Sequence, residues 1–332
     1  MARCVIVSTG GTIASMARDG TGYSPELAGR QVLDFLSPMG LDADALAIDD
    51  FSNILSQSMR PEDMLRLAQR VRAHLEAPEV QGVVVTHGTV VMEETAFLCD
   101  LLTPLGKPVV FTGAMLPINV PGSDGKRNLA DALRVAMAPD AWRRGVMVCM
   151  NGEVHAARTV RKLHASALDA FGSPDVGPLA VVGDELRWRR APHAGRSVLA
   201  TETLQLSVDF VSLVSGMDDG FLQYARRRGA RGLVIEGLPG MGAVTPRVAA
   251  ALPGLLRDGI EIVLASRSPG GAVRPSSGGA GGSFTLHGMG VHMGGALSGP
   301  KIRLLLMAAL GAGLDTARIA GLLAEFGAHD AG

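Results

Sequence analysis

The stretch Arg3-Cys4-Val5-Ile6-Val7-Ser8-Thr9-Gly10-Gly11-Thr12-Ile13-Ala14 decides the fold. Its apolar run reads as a buried strand. The strand stops at a glycine pair that delivers a hydroxyl, Thr12, just past its carboxyl end. In open α/β sheets, ligands bind in the crevice beyond those strand ends. Taken alone, the segment also fits a strand, a tight turn and a threonine that caps a helix. A second segment, Val83-Val84-Val85-Thr86-His87-Gly88-Thr89, repeats the design of β-branched run, glycine and threonine. Two such corners in one chain point to a site at the strand ends.

Outward from these corners, strand-like runs alternate with helical patterns, which indicates an α/β fold with a largely parallel sheet. Residues 15–22 are polar and read as a mobile loop, and Ser24-Pro25-Glu26 reads as the start of a helix reaching about Leu36. Residues 49–56 read as extended. Pro61-Glu62-Asp63 opens a helix with Met64, Leu67, Ala68, Val71 and Leu75 on one face. Strands are expected over 80–86, 107–112 and 145–150, with helices after Glu93-Glu94 and after Asp124-Gly125. Residues 191–205 read as a linker between an N-terminal domain (1–190) and a smaller C-terminal α/β domain (206–332). In the latter, strands over 208–214, 232–236 and 260–265 alternate with helices over 218–228 and 248–257, and Pro253 is expected to end or kink the second helix. The glycine-rich stretch 268–300 fits either a surface loop or a functional segment. Closing helices are expected from about Lys301 and from Asp315.

The chain has 332 residues, 47% of them hydrophobic, 4% aromatic and 19% charged, with a net charge of -1. No global field attracts nucleic acid or a membrane surface. Arg226-Arg227-Arg228 reads as the solvated end of a helix. Cys4, Cys99 and Cys149 form no CxxC pair, and Cys4 and Cys149 sit in strand-like runs as small buried hydrophobes. No apolar stretch reaches the roughly 18 residues of a membrane helix. The N-terminus leads straight into a strand without a signal-peptide pattern, so a reduced, cytoplasmic setting is expected.

A threonine hydroxyl is a weak nucleophile until a neighbour takes its proton. Tyr23 offers a phenol for that task. Lys162, in Arg158-Thr159-Val160-Arg161-Lys162, offers an amine.

At these residues the chain resembles the bacterial-type L-asparaginases, the asparaginase/glutaminase amidohydrolases. The resemblance is carried by Thr9-Gly10-Gly11-Thr12-Ile13-Ala14, by Thr86-His87-Gly88-Thr89 with Met92-Glu93-Glu94-Thr95-Ala96, and by Ser56-Gln57. Lys107-Pro108-Val109-Val110, Gly113-Ala114-Met115 with Pro117, Asp124-Gly125 and Asn128-Leu129 add to it. It implies two α/β domains, a mostly parallel N-terminal sheet flanked by helices and a smaller C-terminal domain. It also implies homotetramers built from intimate dimers, each site completed by the neighbouring subunit. The implied reaction is hydrolysis of a carboxamide through an acyl-enzyme, with no metal or cofactor. Carried over by position, Thr12 is the nucleophile and Tyr23 its assisting phenol, and Thr89 and Lys162 form the second catalytic pair. Gly11, Ser56, Gln57, Gly88, Val90, Ala114 and Met115 bind the substrate.

The chain departs from the family's pattern at three places. The second signature continues Thr-Asp-Thr in the family, where this chain has Thr89-Val90-Val91. The family places a glutamate in the glycine-rich C-terminal stretch, whereas between Glu261 and Glu325 the acidic residue here is Asp315, in the last helix. The family's Asn-Gly-Asn stretch reads Pro239-Gly240-Met241-Gly242. The groups that would neutralise a substrate ammonium are therefore missing, and an unpaired buried charge costs several kcal/mol. The expected substrate is an amide, open or cyclic, without a free α-amino group. Lys162, without a carboxylate partner, is expected to have a lowered pKa and to act as a neutral base. His287, His292 and Arg274 are candidates to replace the glutamate, and Lys126 and Arg127 to hold an anionic substrate; solvated loop residues are the alternative for each. The competing functions are an ordinary L-asparaginase, a weakened member that binds or senses a small amide, and an esterase or lactonase using the same acyl-enzyme chemistry.

Overall fold

The structure is a computed structural model that describes residues 3–18, 20, 22–34, 45–192 and 195–328. The described residues up to Ser173, with Gly177–Val198, form one compact unit; Pro174–Val176 with the described residues from Leu199 onward form a second.

The first unit runs β1 (Arg3–Gly10), β2 (Ser15–Arg18), β3 (Gly22–Pro25), α1 (Gly29–Asp34), β4 (Leu46–Ile54), α2 (Pro61–Glu76), β5 (Val80–Thr86), α3 (Met92–Leu102), β6 (Val109–Thr112), α4 (Gly125–Ala136), β7 (Val146–Met150), β8 (Glu153–Ala156), β9 (Arg161–Lys162), β10 (Phe171–Gly172), β11 (Ala180–Val182) and β12 (Leu186–Trp188). Among the described residues, eight strands make its main sheet in the order β12-β11-β8-β7-β6-β5-β1-β4. From β4 to β7 the pairing is parallel, and from β7 to β12 it is antiparallel. The central strands are buried on both faces, so they read as continuous Val/Ile runs rather than alternating ones. Cys4 and Cys149 lie in this core with their thiols pushed up by burial, Cys4 to about 12. Both are free and buried, as the strand-like runs suggested.

Three local expectations change. Residues 15–22 are not simply a loop: Ser15–Arg18 pairs antiparallel with Gly22–Pro25. Ser24 and Pro25 therefore end a strand instead of starting a helix, and the helix begins at Gly29. The hairpin ladder and the Arg18–Glu26 ion pair hold these residues extended against their local capping signal. The expected helix end near Leu36 lies outside the described residues.

The second unit runs β13 (Val208–Ser212), α5 (Gly220–Arg227), β14 (Gly232–Gly237), α6 (Pro246–Arg257), β15 (Glu261–Ser266), α7 (Ser283–Gly288), β16 (His292–Met293), α8 (Gly299–Gly311) and α9 (Thr316–Phe326). Its sheet is parallel, in the order β13-β14-β15-β16. The helix α6 does not end at Pro253; it runs through to Arg257. Val248, Ala249, Leu252 and Leu255 are buried on one side of it. Packing on both sides of Pro253 outweighs the roughly 3 kcal/mol that an internal proline costs. The glycine-rich stretch is partly regular, since α7, β16 and the start of α8 lie within it.

Candidate active site

Both threonine corners stand at the carboxyl ends of the neighbouring strands β1 and β5. Ser8 pairs with Thr86 across them, and Thr9 Oγ1 donates to Thr86 O at 2.9 Å. Gly10 and Gly11 turn the chain with φ of 93° and 79°, values glycine reaches without a Cβ penalty. A Cβ on Gly11 would overlap the Gly88 backbone. The two corners thus touch glycine to glycine, which brings Thr12 and Thr89 to one place.

That place is a cavity of about 570 Å3, lined by Gly11, Thr12, Tyr23, Leu55, Ser56, Gln57, Gly88, Thr89, Val90, Met115, Leu116, Lys162, Ala165 and Ser166. The structure gathers every catalytic and substrate-binding residue that the resemblance implied, except Ala114. The Ala114 side chain is fully buried in the core, and its methyl faces the start of α4 at Gly125. Its neighbour Met115 reaches the cavity instead. Leu55, Leu116, Ala165 and Ser166 were not singled out from the sequence; they are cavity residues by loop conformation alone.

The Thr89 hydroxyl is tightly partnered. Lys162 Nζ donates to Thr89 Oγ1 at 2.9 Å. Burial pushes the Lys162 ammonium below the ordinary lysine range, which favours the neutral amine. The main-chain N–H of Lys162 donates to Glu93 Oε2 at 2.5 Å, in the first turn of α3. Thr12 is as buried as Thr89 but lies in a single helical turn, Thr12–Ala14. Among the described residues no hydrogen bond joins its hydroxyl to Tyr23, which stands about half exposed on β3.

Ser56 and Val90 are linked: the Val90 N–H donates to Ser56 Oγ at 3.2 Å. Ser56 accepts there and keeps its own proton to give. The Val90 side chain is 57% exposed, an apolar group facing open space beside Thr89. Among the described lining residues there is no Asp or Glu, and Lys162 supplies the one Lys or Arg side chain.

Two buried polar groups shape the walls. Asp124 accepts from the N–H groups of Met115 and Leu116 at 3.0 Å and from Asn128 Nδ2 at 2.8 Å, which fixes the loop that presents Met115. His87 is fully buried, with Nδ1 2.7 Å from Gly88 O and Nε2 3.1 Å from Met59 Sδ. The carbonyl partner assigns the proton to Nδ1. Burial pushes the imidazole down to about 4, so it is neutral.

The remaining candidates lie elsewhere. His287, His292 and Arg274 line a separate cavity of about 320 Å3 in the second unit. His292 Nε2 is 2.8 Å from Glu261 Oε2, whose carboxyl this contact holds below its usual range. Arg127 faces Asp131 at 3.6 Å on α4 and borders a third cavity, not the threonine site.

The family model "Asparaginase, N-terminal" matches residues 3–194, and that for the "Glutaminase/Asparaginase C-terminal domain" matches residues 207–323. The chain belongs to the asparaginase family. Relatives of this asparaginase-family chain include a probable L-asparaginase of Deinococcus radiodurans, 34% identical over 94% of each chain. One of the subunits of a glutamyl-tRNA(Gln) amidotransferase from Archaeoglobus fulgidus is also 34% identical, over 72% of this chain and 59% of the relative. The crystal structure of a probable cytoplasmic L-asparaginase from Campylobacter jejuni superimposes with a TM-score of 0.87 at 30% identity, covering 98% of this chain and all of the other. The family consists of amidohydrolases acting on carbon–nitrogen bonds other than peptide bonds, and this asparaginase-family chain is an enzyme of that class. No helix among its described residues is long and apolar enough to cross a membrane.

Proposed function

We propose that this enzyme hydrolyses the carboxamide, open or cyclic, of a small molecule without a free α-amino group, through a threonine acyl-enzyme. Thr12 Oγ1 attacks the amide carbon and its proton passes to a base in the site. The C–N bond then breaks, and the amine leaves carrying a proton from Tyr23, water or Lys162. Water attacks the ester that remains, and Thr12 recovers its proton. Main-chain N–H groups at the two Gly-Thr corners are the natural donors for the developing oxyanion. Lys162, biased towards the neutral amine by burial, serves Thr89 as base. The observation that carries the amidohydrolase reading is the Lys162–Thr89 contact of 2.9 Å in the cavity that also holds Thr12. In the same reading Ser56 and Gln57 hold the substrate's carboxylate, and the enzyme works in the cytoplasm as a homotetramer built from intimate dimers.

The substrate part of the proposal rests on Val90, which presents a valine where an ammonium would need a carboxylate. The names of the relatives favour a second reading, ordinary L-asparaginase activity. Ammonia release from asparagine, glutamine, succinamate and simple lactams separates the two. Succinamate or a lactam should be turned over with the higher kcat/KM, and Val90→Asp should raise kcat/KM for asparagine by tenfold or more, the scale of one new close charge pair. Asparagine turnover as the best of the panel in the unaltered enzyme overturns the substrate assignment.

A further inference from the structure

We infer that Glu93 is a positioning residue that sets Lys162 against Thr89; this rests on reading the Thr89–Lys162 pair as part of the reacting machinery. The reason begins with how short the hairpin that holds Lys162 is, continued past it by the Leu163 N–H, which donates to Ala170 O at 2.7 Å. It ends β9, a strand of two residues whose partner β10 also has two, paired Phe171 to Lys162 and Gly172 to Arg161. A two-residue ladder fixes a backbone poorly, while proton transfer needs the groups within hydrogen-bond reach. A second restraint is supplied from the other side of the contact. Glu93 sits on the first turn of α3, four residues after Thr89, and its Oε2 takes the Lys162 N–H at 2.5 Å. A hydrogen bond to an ionised acceptor is about twice as strong as a neutral one. The helix just beyond the Thr89 turn therefore also grips the backbone of the lysine that reaches Thr89 Oγ1. Both ends of the 2.9 Å contact refer to one rigid element, whose residues 95–102 are buried.

A carboxylate in the first turn of a helix also complements the helix dipole, so Glu93 has a structural explanation to be tested against. The two roles rank the variants differently. The glutamine of Glu93→Gln keeps an oxygen that accepts the Lys162 N–H but loses the charge. Glu93→Ala loses both. The titratable groups that share the cavity or the hairpin with Lys162 are Tyr23, Arg161, His164 and Asp169, with Glu93 and Glu94 on α3, so a change in Lys162's exposure is read against a fixed set of neighbours.

The test uses the full chain with succinamate, or whichever amide of the panel is turned over fastest. Lys162→Met serves as reference and thermal unfolding as a check on folding. Glu93→Ala should lower kcat roughly 10- to 100-fold, the scale of a misplaced reacting group, with KM changed less than about threefold. The acid limb of its pH–rate profile, set by the neutral Lys162 amine, should move to higher pH as Lys162 gains water, and hydrogen exchange at the Lys162 amide should speed up. Glu93→Gln should keep kcat within about threefold and leave the limb in place. A Glu93→Ala enzyme with unchanged kcat and pH profile, beside an inactive Lys162→Met, overturns the inference alone. So does a Glu93→Gln enzyme that matches Glu93→Ala and differs from the unaltered protein only in melting temperature. Full activity in Lys162→Met overturns the underlying reading of the pair, and the inference with it.

Discussion

The two threonine corners share a design and differ in the chain beyond them. Thr12 and Thr89 end neighbouring parallel strands, both are buried, and their glycines are in contact. Past Thr89 the chain enters α3, most of whose residues are buried, and Thr89 Oγ1 already has the Lys162 amine 2.9 Å away. Past Thr12 it makes one turn and leaves for the exposed hairpin β2–β3, which carries Tyr23. The Thr89 corner is preorganised. In the proposed reaction the Thr12 corner needs the hairpin, the substrate or a water to take its proton. An acyl-enzyme site has reason to be built this way: one group is held rigid for proton traffic, and the other stays reachable for a substrate that must enter and leave.

The sharpest way to break this contrast is to remove the hydroxyls one at a time. Thr12→Ala and Thr89→Ala should each lower kcat by about a thousandfold or more, because groups that act as a unit fail together. Lys162→Met should match Thr89→Ala, and the double variant should be little worse than either. Tyr23→Phe should cost less, on the order of 10- to 100-fold, as expected of one general acid–base group on an exposed arm. Steady-state kinetics on the best amide of the panel reads all five. Thr89→Ala within tenfold of the unaltered enzyme would reduce the second corner to a structural element.

A smaller effect, on stability, tests whether the corners are locked together. Gly11→Ala drives a Cβ into the Gly88 backbone at a φ of 79°. Backbone cannot give way as a side-chain tip can, so the variant should lose about 4 kcal/mol or more in urea unfolding. Gly20→Ala is the control. It has a similar φ of 76° with nothing within 4 Å, and it should lose about 1 kcal/mol from the conformation alone. Equal losses would mean that the glycine contact contributes nothing beyond local strain.

Much of this was legible in the sequence because it is local. The run 80–86 is a strand as expected, being β-branched and bounded by a turn on each side. Pro61 opens α2, and Asp315 caps α9 through the Arg318 N–H. The two Gly-Thr corners and Lys162 were found from residue type and position, and they line one cavity. What was not legible depends on partners distant in sequence. Ser24-Pro25 carries a good helix-start signal, yet it ends a strand because Ser15 and Met16 pair with it. The antiparallel arm β8–β11–β12 is made of strands of three or four residues, too short to show a period. Asp124-Gly125 reads only as the point before a helix, whereas the Asp124 carboxylate accepts from the N–H groups of Met115 and Leu116 and from the Asn128 amide. Glu93 reads as a dipole residue, and its bond to Lys162 spans 69 positions that no local pattern reports.

His87 belongs to the second corner and gives the weakest handle on it. It is fully buried and neutral, its pKa pushed by burial to about 4 against an ordinary 6.5. In the unfolded chain it takes up a proton as pH falls below about 6.5, whereas the folded protein resists until about 4. Between those values the unfolded state binds more protons, so stability falls as pH drops and the loss is complete below about 4. A difference of about 2.5 units corresponds to at most about 3 kcal/mol. His155, also buried and also pushed to about 4, adds a loss of the same sign over the same window. Asp49 and Glu261 have carboxyls held below their usual range, and they lose their contribution mainly below about pH 4.5, so they leave most of the window to the histidines. His87→Gln should therefore cut the slope of unfolding free energy against pH between about 4.5 and 6.5 by about half, while urea unfolding at about pH 8 changes less. An unaltered slope would show that His87 is protonated in the folded protein. In that state both ring nitrogens donate, to Gly88 O and towards the Met59 sulfur, and the turn that presents Thr89 would be held by a buried cation instead of a neutral ring.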